Sequence, residues 1–160
     1  MAAKVSAFIG IGANLGDARV QVEQALAALA RLPQSRLTAQ SRLFRTAPVD
    51  AGGDDFINAV ARIETELPAP ALLEQLQALE LAAGRERPFR NAPRTLDLDL
   101  LLYGDQVIDT PALTVPHPRL AQRAFALIPL LQIDPFISIP GHGAAHQFVP
   151  RVADQAITKL

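Results

Sequence analysis

Apolar residues recur along the chain at two periods, and each period predicts a type of secondary structure. Alternating or short continuous apolar runs predict strands, whereas apolar residues three or four apart predict helices. Strands are predicted over residues 5–11, 36–46, 57–66 and 95–103, the second and third half-buried. Helices are predicted over residues 20–32, 71–84, 122–133 and, in the tail, 151–159.

The order strand, helix, strand, strand, helix, strand predicts an α+β fold of the ferredoxin-like kind. In this α/β sandwich a mainly antiparallel sheet is flanked by helices. Asp17 is a plausible N-cap for the first helix, and Val20 begins its apolar stripe. Pro68 and Pro70 open the second helix, and Gly84 closes it.

Two like charges in the last strand raise a question of chemistry. Asp97 and Asp99 are two positions apart, so their side chains share one face, roughly 6.5 to 7 Å apart along the backbone. At an effective dielectric of about 20 they repel by about 2 kcal/mol. The other face carries the leucines Leu96, Leu98, Leu100 and Leu102. A hard cation such as Mg²⁺ would suit the acids, although surface arginines on an exposed face would also satisfy them.

A basic segment directly precedes this strand. It holds Arg85, Arg87, Arg90 and Arg94 against Glu86, four cations and one anion, which give a local charge of +3. In a polyphosphate site, acids hold metal ions and neighbouring guanidinium groups hold the phosphates, and this pattern indicates such a site. The alternative is a solvated basic surface. Three further cations follow the strand, His117, Arg119 and Arg123, of which we assign Arg119 to the surface.

The glycine-rich stretch GIGANLG, residues 10–16, resembles a phosphate-binding loop. It contains G-x-G but lacks the third glycine of G-x-G-x-x-G and the Lys-Ser/Thr of a P-loop. We therefore interpret its glycines as structural, serving close packing and a turn, and expect the nucleotide site elsewhere.

Length and composition limit the class of protein. The chain has 160 residues, enough for one substantial core, so we predict a single domain over residues 1–160 with no second enzyme fused to it. It has no cysteine, and its formal net charge is −1. Near-neutral charge gives no general attraction to nucleic acid or membranes. The first apolar stretch is too short to span a bilayer and lacks the flanks of a cleaved signal. We expect a cytoplasmic monomer with neither nucleic acid nor membrane as partner.

Several motifs occur in the order found in one known family. They are IGxNLGD from Ile11, RT-x-P before an acidic loop that ends in aromatic-x-Asn, GR-x-R, PRTLDLDLLLYG, and VPHPR followed by R-x-F. Together they extend to about Leu131. On these motifs the chain resembles the 6-hydroxymethyl-7,8-dihydropterin pyrophosphokinases of folate biosynthesis.

The resemblance implies transfer of pyrophosphate from ATP to the hydroxymethyl oxygen of the reduced pterin, with release of AMP. Asp97 and Asp99 would hold two Mg²⁺ ions and would be catalytic together with Arg85 and Arg94. The residues implied to bind ATP are Gln77, Glu80, Arg85, Arg87, Arg94, His117 and Arg123. Those implied to bind the pterin are Thr46, Ala47, Val49, Phe56, Asn58 and Phe125. Phe125 as plain core and Asn58 as a turn residue are the alternatives.

The chain departs from some family members at three positions. Pro88 and Asn91 stand where some members have lysine and tryptophan, so contacts made there to phosphate and adenine are absent or replaced. Ala47 stands where some have proline. By resemblance, the loops 47–55 and 85–92 would close over the substrates.

Two other functions compete with this interpretation. A ferredoxin-like module that recognises RNA or a regulatory ligand would need exposed aromatic residues on its strands and a basic face, but the strands offer only Phe8, Phe44 and Tyr103. Calcium binding by the acidic loop 50–55 is disfavoured because DAGGDD lacks the ligand spacing of an EF-hand.

Overall fold

A computed structural model describes residues 4–14, 17–47, 55–83 and 96–160 of the chain. The main sheet contains β1 (Val5–Ala13), β2 (Ser35–Gln40), β3 (Phe44–Thr46), β4 (Phe56–Thr65), β5 (Asp97–Tyr103) and β10 (Ile157–Lys159). Two small hairpins pair β6 (Ile108–Asp109) with β7 (Thr114–Val115), and β8 (Ser138–Ile139) with β9 (Gly143–Ala144). The α-helices are α1 (Ala18–Leu29), α2 (Ala69–Ala82) and α3 (Ala124–Ile133), and 3₁₀ helices span Leu120–Gln122 and Ala145–Val152.

The main sheet is antiparallel throughout, in the order β10-β3-β4-β1-β5, with β2 also paired to β4. Helices α1 and α2 pack on one face, where Leu29 and Leu76 lie in the larger core. Helix α3 and the two 3₁₀ helices pack on the other, where Leu127 and Leu130 lie in a second core. The predicted ferredoxin-like α+β sandwich is confirmed.

The first helix begins where the sequence predicts. The Val20 N–H donates to Asp17 Oδ1 at 3.2 Å, so Asp17 is the N-cap, which satisfies one of the free donors of the first turn. The apolar stripe of α1 begins later than predicted, because Val20 is 43% exposed and Val22 is the first buried residue. Gly84, predicted to close α2, lies outside the described residues.

The strand predicted over 36–46 is two strands, β2 and β3, which both pair with β4. Between them Ser41 takes over part of the ladder with its side chain. Its N–H donates to the Val60 carbonyl at 2.8 Å, and its Oγ accepts from the Val60 N–H at 2.9 Å. This bridging lets the chain break the strand without leaving the β4 backbone unsatisfied.

Two other predictions of the elements are wrong. Strand β4 is almost wholly buried rather than half-buried, because it lies inside the sheet with helices over both faces. The tail over 151–159 is not one helix. It contains the end of a 3₁₀ helix and then β10, whose Ile157 pairs with Thr46 of β3, and this distant partner is not visible in local periodicity.

Strand β5 does not keep one alternation throughout. Ile9 pairs with Leu100 and Phe8 with Leu102, so Leu101 is an extra residue, a β-bulge. Leu96, Leu98 and Leu100 lie in the larger core as predicted, but Leu102 and Leu101 both belong to the second core. The prediction that Leu102 shares the face of the other leucines is therefore wrong.

Tyr103 supplies the first testable prediction. It is the single tyrosine of the chain, its O–H donates to the Leu67 carbonyl at 2.5 Å, and burial raises its pKa above the ordinary value of 10. Stability from the neutral phenol is therefore complete below pH 10 and is lost as the pH rises from 10 through the raised pKa. We expect Tyr103→Phe to remove this alkaline component and to lower the free energy of unfolding by about 1 kcal/mol.

Ultraviolet absorbance of the phenolate, followed against pH with and without urea, measures this directly because no other tyrosine and no tryptophan contributes. The native protein should ionise above pH 10 and the urea-unfolded chain near it. A native phenol that ionises at or below pH 10 would contradict the buried hydrogen bond.

Candidate active site

A cavity of about 480 Å³ lies on the α3 side of the sheet, next to the second core. On this face α3 covers Phe8, Val60 and Leu102. The side chains further along the same strands are left to line the cavity instead. The helix itself contributes only its beginning, at Phe125 and Ala126. The site is thus a gap in the helical layer over a continuous sheet.

The paired acids lie in this gap. Asp97 is opposite Gly12 of β1 and Asp99 is opposite Gly10, and both half-buried acids line the cavity. The prediction that they share one face of the strand is confirmed. The alternative of an exposed solvated face does not describe them, because both belong to a concave site.

The two glycines opposite the acids lie in the first strand. Gly10 is inside β1 as predicted, and the strand runs two residues further than predicted, so it also includes Gly12; both glycines line the cavity. The position of the nucleotide relative to these glycines stays a prediction. With no side chain at either position, the cavity floor beside the acids is bare backbone.

The glycines give a matched pair of variants. A Cβ on Gly12 would lie 3.0 Å from Asn58 Oδ1, whereas one on Gly10 would lie 3.4 Å from Leu101 at ordinary contact distance. We expect Gly12→Ala to weaken binding of the ligand that Asn58 contacts by roughly tenfold, since a displaced hydrogen-bonding group loses one to two kcal/mol. Gly10→Ala should change that affinity less than about twofold. Equal affinities for the two variants, measured by calorimetry, would contradict this.

Five residues expected to bind the pterin line the same cavity: Thr46, Ala47, Phe56, Asn58 and Phe125. The sixth, Val49, lies outside the described residues. Asn58 is inside β4, where it is 3% exposed, so it is not a turn residue. Its Nδ2 donates to Thr46 Oγ1 at 2.7 Å, and within the described residues its Oδ1 accepts no hydrogen bond. The amide is thus held by β3 with its oxygen available to a ligand.

Phe125 belongs to both the core and the cavity. It packs against the second core and lines the cavity, so it is not plain core. The Arg123 guanidinium carbon lies 5.3 Å from the centre of its ring, within range of a cation–π contact. Arg123 lines the cavity as well, which places a guanidinium group beside an aromatic surface.

His117 is held in a defined tautomer. The Arg119 N–H donates to His117 Nδ1 at 3.2 Å, so the neutral ring carries its proton on Nε2. Burial lowers the pKa of His117, the charge of Asp99 opposes this shift, and the charges of Arg123 and Arg119 add to it. His117 lines the cavity, and in its neutral form it can donate a hydrogen bond from Nε2.

Sequence reasoning missed several lining residues. Arg119, assigned to the surface, lines the cavity beside His117, and so does Gln122. For Arg119 the signal was available in the sequence, because it is two residues from a predicted phosphate-binding histidine. Leu101 also lines the cavity, on the face that alternation along β5 gives to the two acids.

Gln77 and Glu80 do not line the cavity. Gln77 is exposed on α2. Glu80 is 4% exposed, and its Oε2 accepts from the Leu98 N–H at 2.9 Å. Since β5 ends the sheet and Leu98 lies between the two acids, Glu80 fixes the outer edge of the strand that presents them. Contact of either residue with a nucleotide stays a prediction.

The remaining predicted residues lie outside the described part of the chain. These are Arg85, Arg87, Arg90, Arg94, Pro88 and Asn91, with most of the loop 47–55. Within the described residues, no group of three or more acidic, histidine or cysteine side chains is placed to hold a metal ion. The acidic side chains among the described residues that line the cavity are Asp97 and Asp99.

Paired acids on an edge strand share one cavity with two arginines in a ferredoxin-like sandwich, an arrangement typical of phosphoryl-transfer enzymes. Comparison with known proteins narrows the class. The sequence profile of the family described as 7,8-dihydro-6-hydroxymethylpterin-pyrophosphokinase (HPPK) matches residues 8–135. The chain belongs to this family, so it transfers pyrophosphate from ATP to 6-hydroxymethyl-7,8-dihydropterin in folate biosynthesis.

Individual relatives agree with the family. A Pseudomonas aeruginosa protein named 2-amino-4-hydroxy-6-hydroxymethyldihydropteridine pyrophosphokinase is 45% identical over 134 residues, which cover 83% of each chain. A Haemophilus influenzae protein of the same name is 37% identical over 157 residues, 98% of each chain. The family resemblance recognised from the motifs is confirmed.

Solved structures support the fold. A crystal structure of a Plasmodium falciparum HPPK-DHPS triple mutant with SDX-DHP matches 96% of this chain with a TM-score of 0.75 at 13% identity. This chain spans 43% of that one, less than half its length. Among the described residues, no helix is both long enough and apolar enough to cross a membrane.

Proposed function

We propose that Asp97 and Asp99 hold Mg²⁺ together with the triphosphate of ATP, and that the pterin lies between Phe56 and Phe125. The observation that carries this proposal is the single cavity that joins the two acids to the aromatic and amide residues. One cavity lets the hydroxymethyl oxygen of the pterin and the phosphorus that it attacks meet in the same space.

The donor set fits magnesium. Mg²⁺ in nucleotide sites takes one or two carboxylates and completes its shell with water and phosphate oxygens, and two half-buried carboxylates are what β5 supplies. When bound, the ions would neutralise phosphate charge and orient the triphosphate for in-line attack. Magnesium held in this way needs no further acidic side chain from the described part of the cavity wall.

Other protein groups of the same cavity would hold the phosphates. Arg123 would supply a guanidinium, and the neutral form of His117 would donate from Nε2. By resemblance Arg85, Arg87 and Arg94 would add further cations, with Arg85 and Arg94 acting at the transferring group. Such donors stabilise charge most where water is excluded, and loops 47–55 and 85–92 would supply that closure.

The pterin would be recognised by its flat shape and by the hydrogen-bonding groups along its edge. Two aromatic rings accept a flat heterocycle between them, and the Asn58 amide reads a donor and acceptor edge. Thr46 fixes the Asn58 side chain and so selects which of its atoms faces the ligand. Gly12 leaves the space that this edge needs.

The competing RNA-binding function loses its main support. It needs aromatic side chains exposed on the sheet, whereas Phe8, Phe44 and Tyr103 are each about 5% exposed. We also propose that the protein acts as a cytoplasmic monomer.

Product analysis tests the reaction. Purified protein with ATP, Mg²⁺ and 6-hydroxymethyl-7,8-dihydropterin should yield AMP and the pterin diphosphate in equal amounts, and chelation of the metal should stop the reaction. ADP as the nucleotide product would exclude pyrophosphoryl transfer. Full activity in excess chelator would exclude the magnesium site.

A further inference from the structure

The cavity wall holds a cation, the last residue of the VPHPR motif, for which the resemblance implies no role. Arg119 lines the cavity with His117 and Arg123, in the turn that leads into the 3₁₀ helix Leu120–Gln122. The two ion pairs found within the described residues, Arg19 with Glu23 and Arg36 with Glu64, do not involve it. The Arg119 guanidinium is exposed and has no carboxylate partner there.

Arg119 is connected to the cavity in two ways. The Arg119 side chain lines the same cavity as the His117 ring and the Arg123 side chain. Its backbone is tied to the His117 ring through the 3.2 Å hydrogen bond to Nδ1. Arg119 therefore belongs to this cavity through both its side chain and its backbone.

The charge of the described wall shows what Arg119 adds. Asp97 and Asp99 contribute two carboxylates, and Arg123 is the other arginine among the described lining residues, where it lies over the Phe125 ring. Arg119 doubles the number of guanidinium groups on the wall. Guanidinium pairs well with phosphate oxygens and is less firmly hydrated than ammonium, so an exposed arginine at a cavity rim is suited to a polyphosphate.

We infer that Arg119 is a further binding residue for the triphosphate, acting through its side chain while its backbone N–H positions His117. This inference rests on the proposed function of the cavity. Arg119 would contact the phosphates in the bound state and would set affinity for MgATP, with no contact to the pterin.

Side-chain substitution separates the two roles, since every residue except proline keeps the N–H that holds His117. We expect Arg119→Ala to raise the KM for MgATP roughly three- to tenfold, with the KM for the pterin changed less than about twofold. Arg119→Lys should be intermediate, because it keeps the charge and loses the fork. Arg119→Glu should raise the KM for MgATP further, and added salt should narrow all these differences.

Arg31→Ala is the matched control, because Arg31 is an exposed arginine after α1 that does not line the cavity. It should leave both KM values unchanged. An unchanged KM for MgATP in Arg119→Ala, an equal rise for both substrates, or the same effect in Arg31→Ala would overturn the inference. If wild-type protein makes AMP while Arg119→Ala behaves as wild type, the assignment of Arg119 fails and the proposed function stands. If wild-type protein makes no AMP, the proposed function fails first.

Discussion

Asp97→Asn and Asp99→Asn are each expected to reduce pyrophosphoryl transfer by about a hundredfold or more at saturating substrates. Amide oxygens are weaker ligands for Mg²⁺ than carboxylates, and a bound metal ion contributes several kcal/mol to stabilising charge in the transition state. Both side chains line the cavity from one face of β5, so neither can replace the other without moving the strand. Steady-state rates at increasing Mg²⁺ measure the effect.

The expected curves separate loss of metal from loss of fold. Each variant should need more Mg²⁺ for half-maximal rate and should keep the far-ultraviolet circular dichroism of wild type. Asp109→Asn is the control, since Asp109 is an exposed acid of β6 outside the cavity, and it should retain full activity. A variant of Asp97 or Asp99 that keeps more than about a tenth of the wild-type rate would contradict this role for its carboxylate.

Asn58→Leu is expected to raise the dissociation constant of the pterin roughly 10- to 100-fold. The side chain is 3% exposed and reaches the cavity, so the apolar replacement leaves the polar edge of a bound pterin unpaired at a cost of about 1–3 kcal/mol. Affinity for MgATP should change less than about twofold, because the acids and cations are untouched. Calorimetric titration with each ligand alone gives both constants.

Thr46→Val is a milder variant that tests the same part of the cavity as Asn58→Leu. It removes the acceptor that orients the Asn58 amide, 2.7 Å away, but leaves the amide in place. A smaller loss of pterin affinity, about two- to fivefold, is expected from reorientation alone. If Asn58→Leu bound the pterin as wild type does, or weakened MgATP equally, the pterin would not lie against this part of the cavity.

Local periodicity predicted the strands and helices whose apolar pattern is visible within a few neighbouring residues. Strands β1, β4 and β5 and the three α-helices follow from it, and so does the shared face of Asp97 and Asp99, which needs only a period of two. Features that depend on distant partners were not accessible. The break at Ser41 is stabilised by Val60, and the final strand exists because β3 offers a free edge.

The candidate site was predicted through motifs, and its missed residues have a structural cause. Gly10 and Arg119 belong to the cavity because α3 leaves part of the sheet uncovered, which no residue-by-residue pattern specifies. Glu80 was placed near the nucleoside by resemblance. The structure adds a contact that the motif does not contain, its bond to the Leu98 N–H between the two acids.

Titration of the protein with a non-hydrolysable ATP analogue, in the presence and absence of Mg²⁺, shows whether the acids in the cleft hold the metal and the phosphates together. Wild-type protein should bind the analogue at least about tenfold more tightly with the ion, and Asp97→Asn should lose that difference while keeping the weaker metal-free binding. Equal dependence on Mg²⁺ in wild type and variant would show that the metal is held elsewhere.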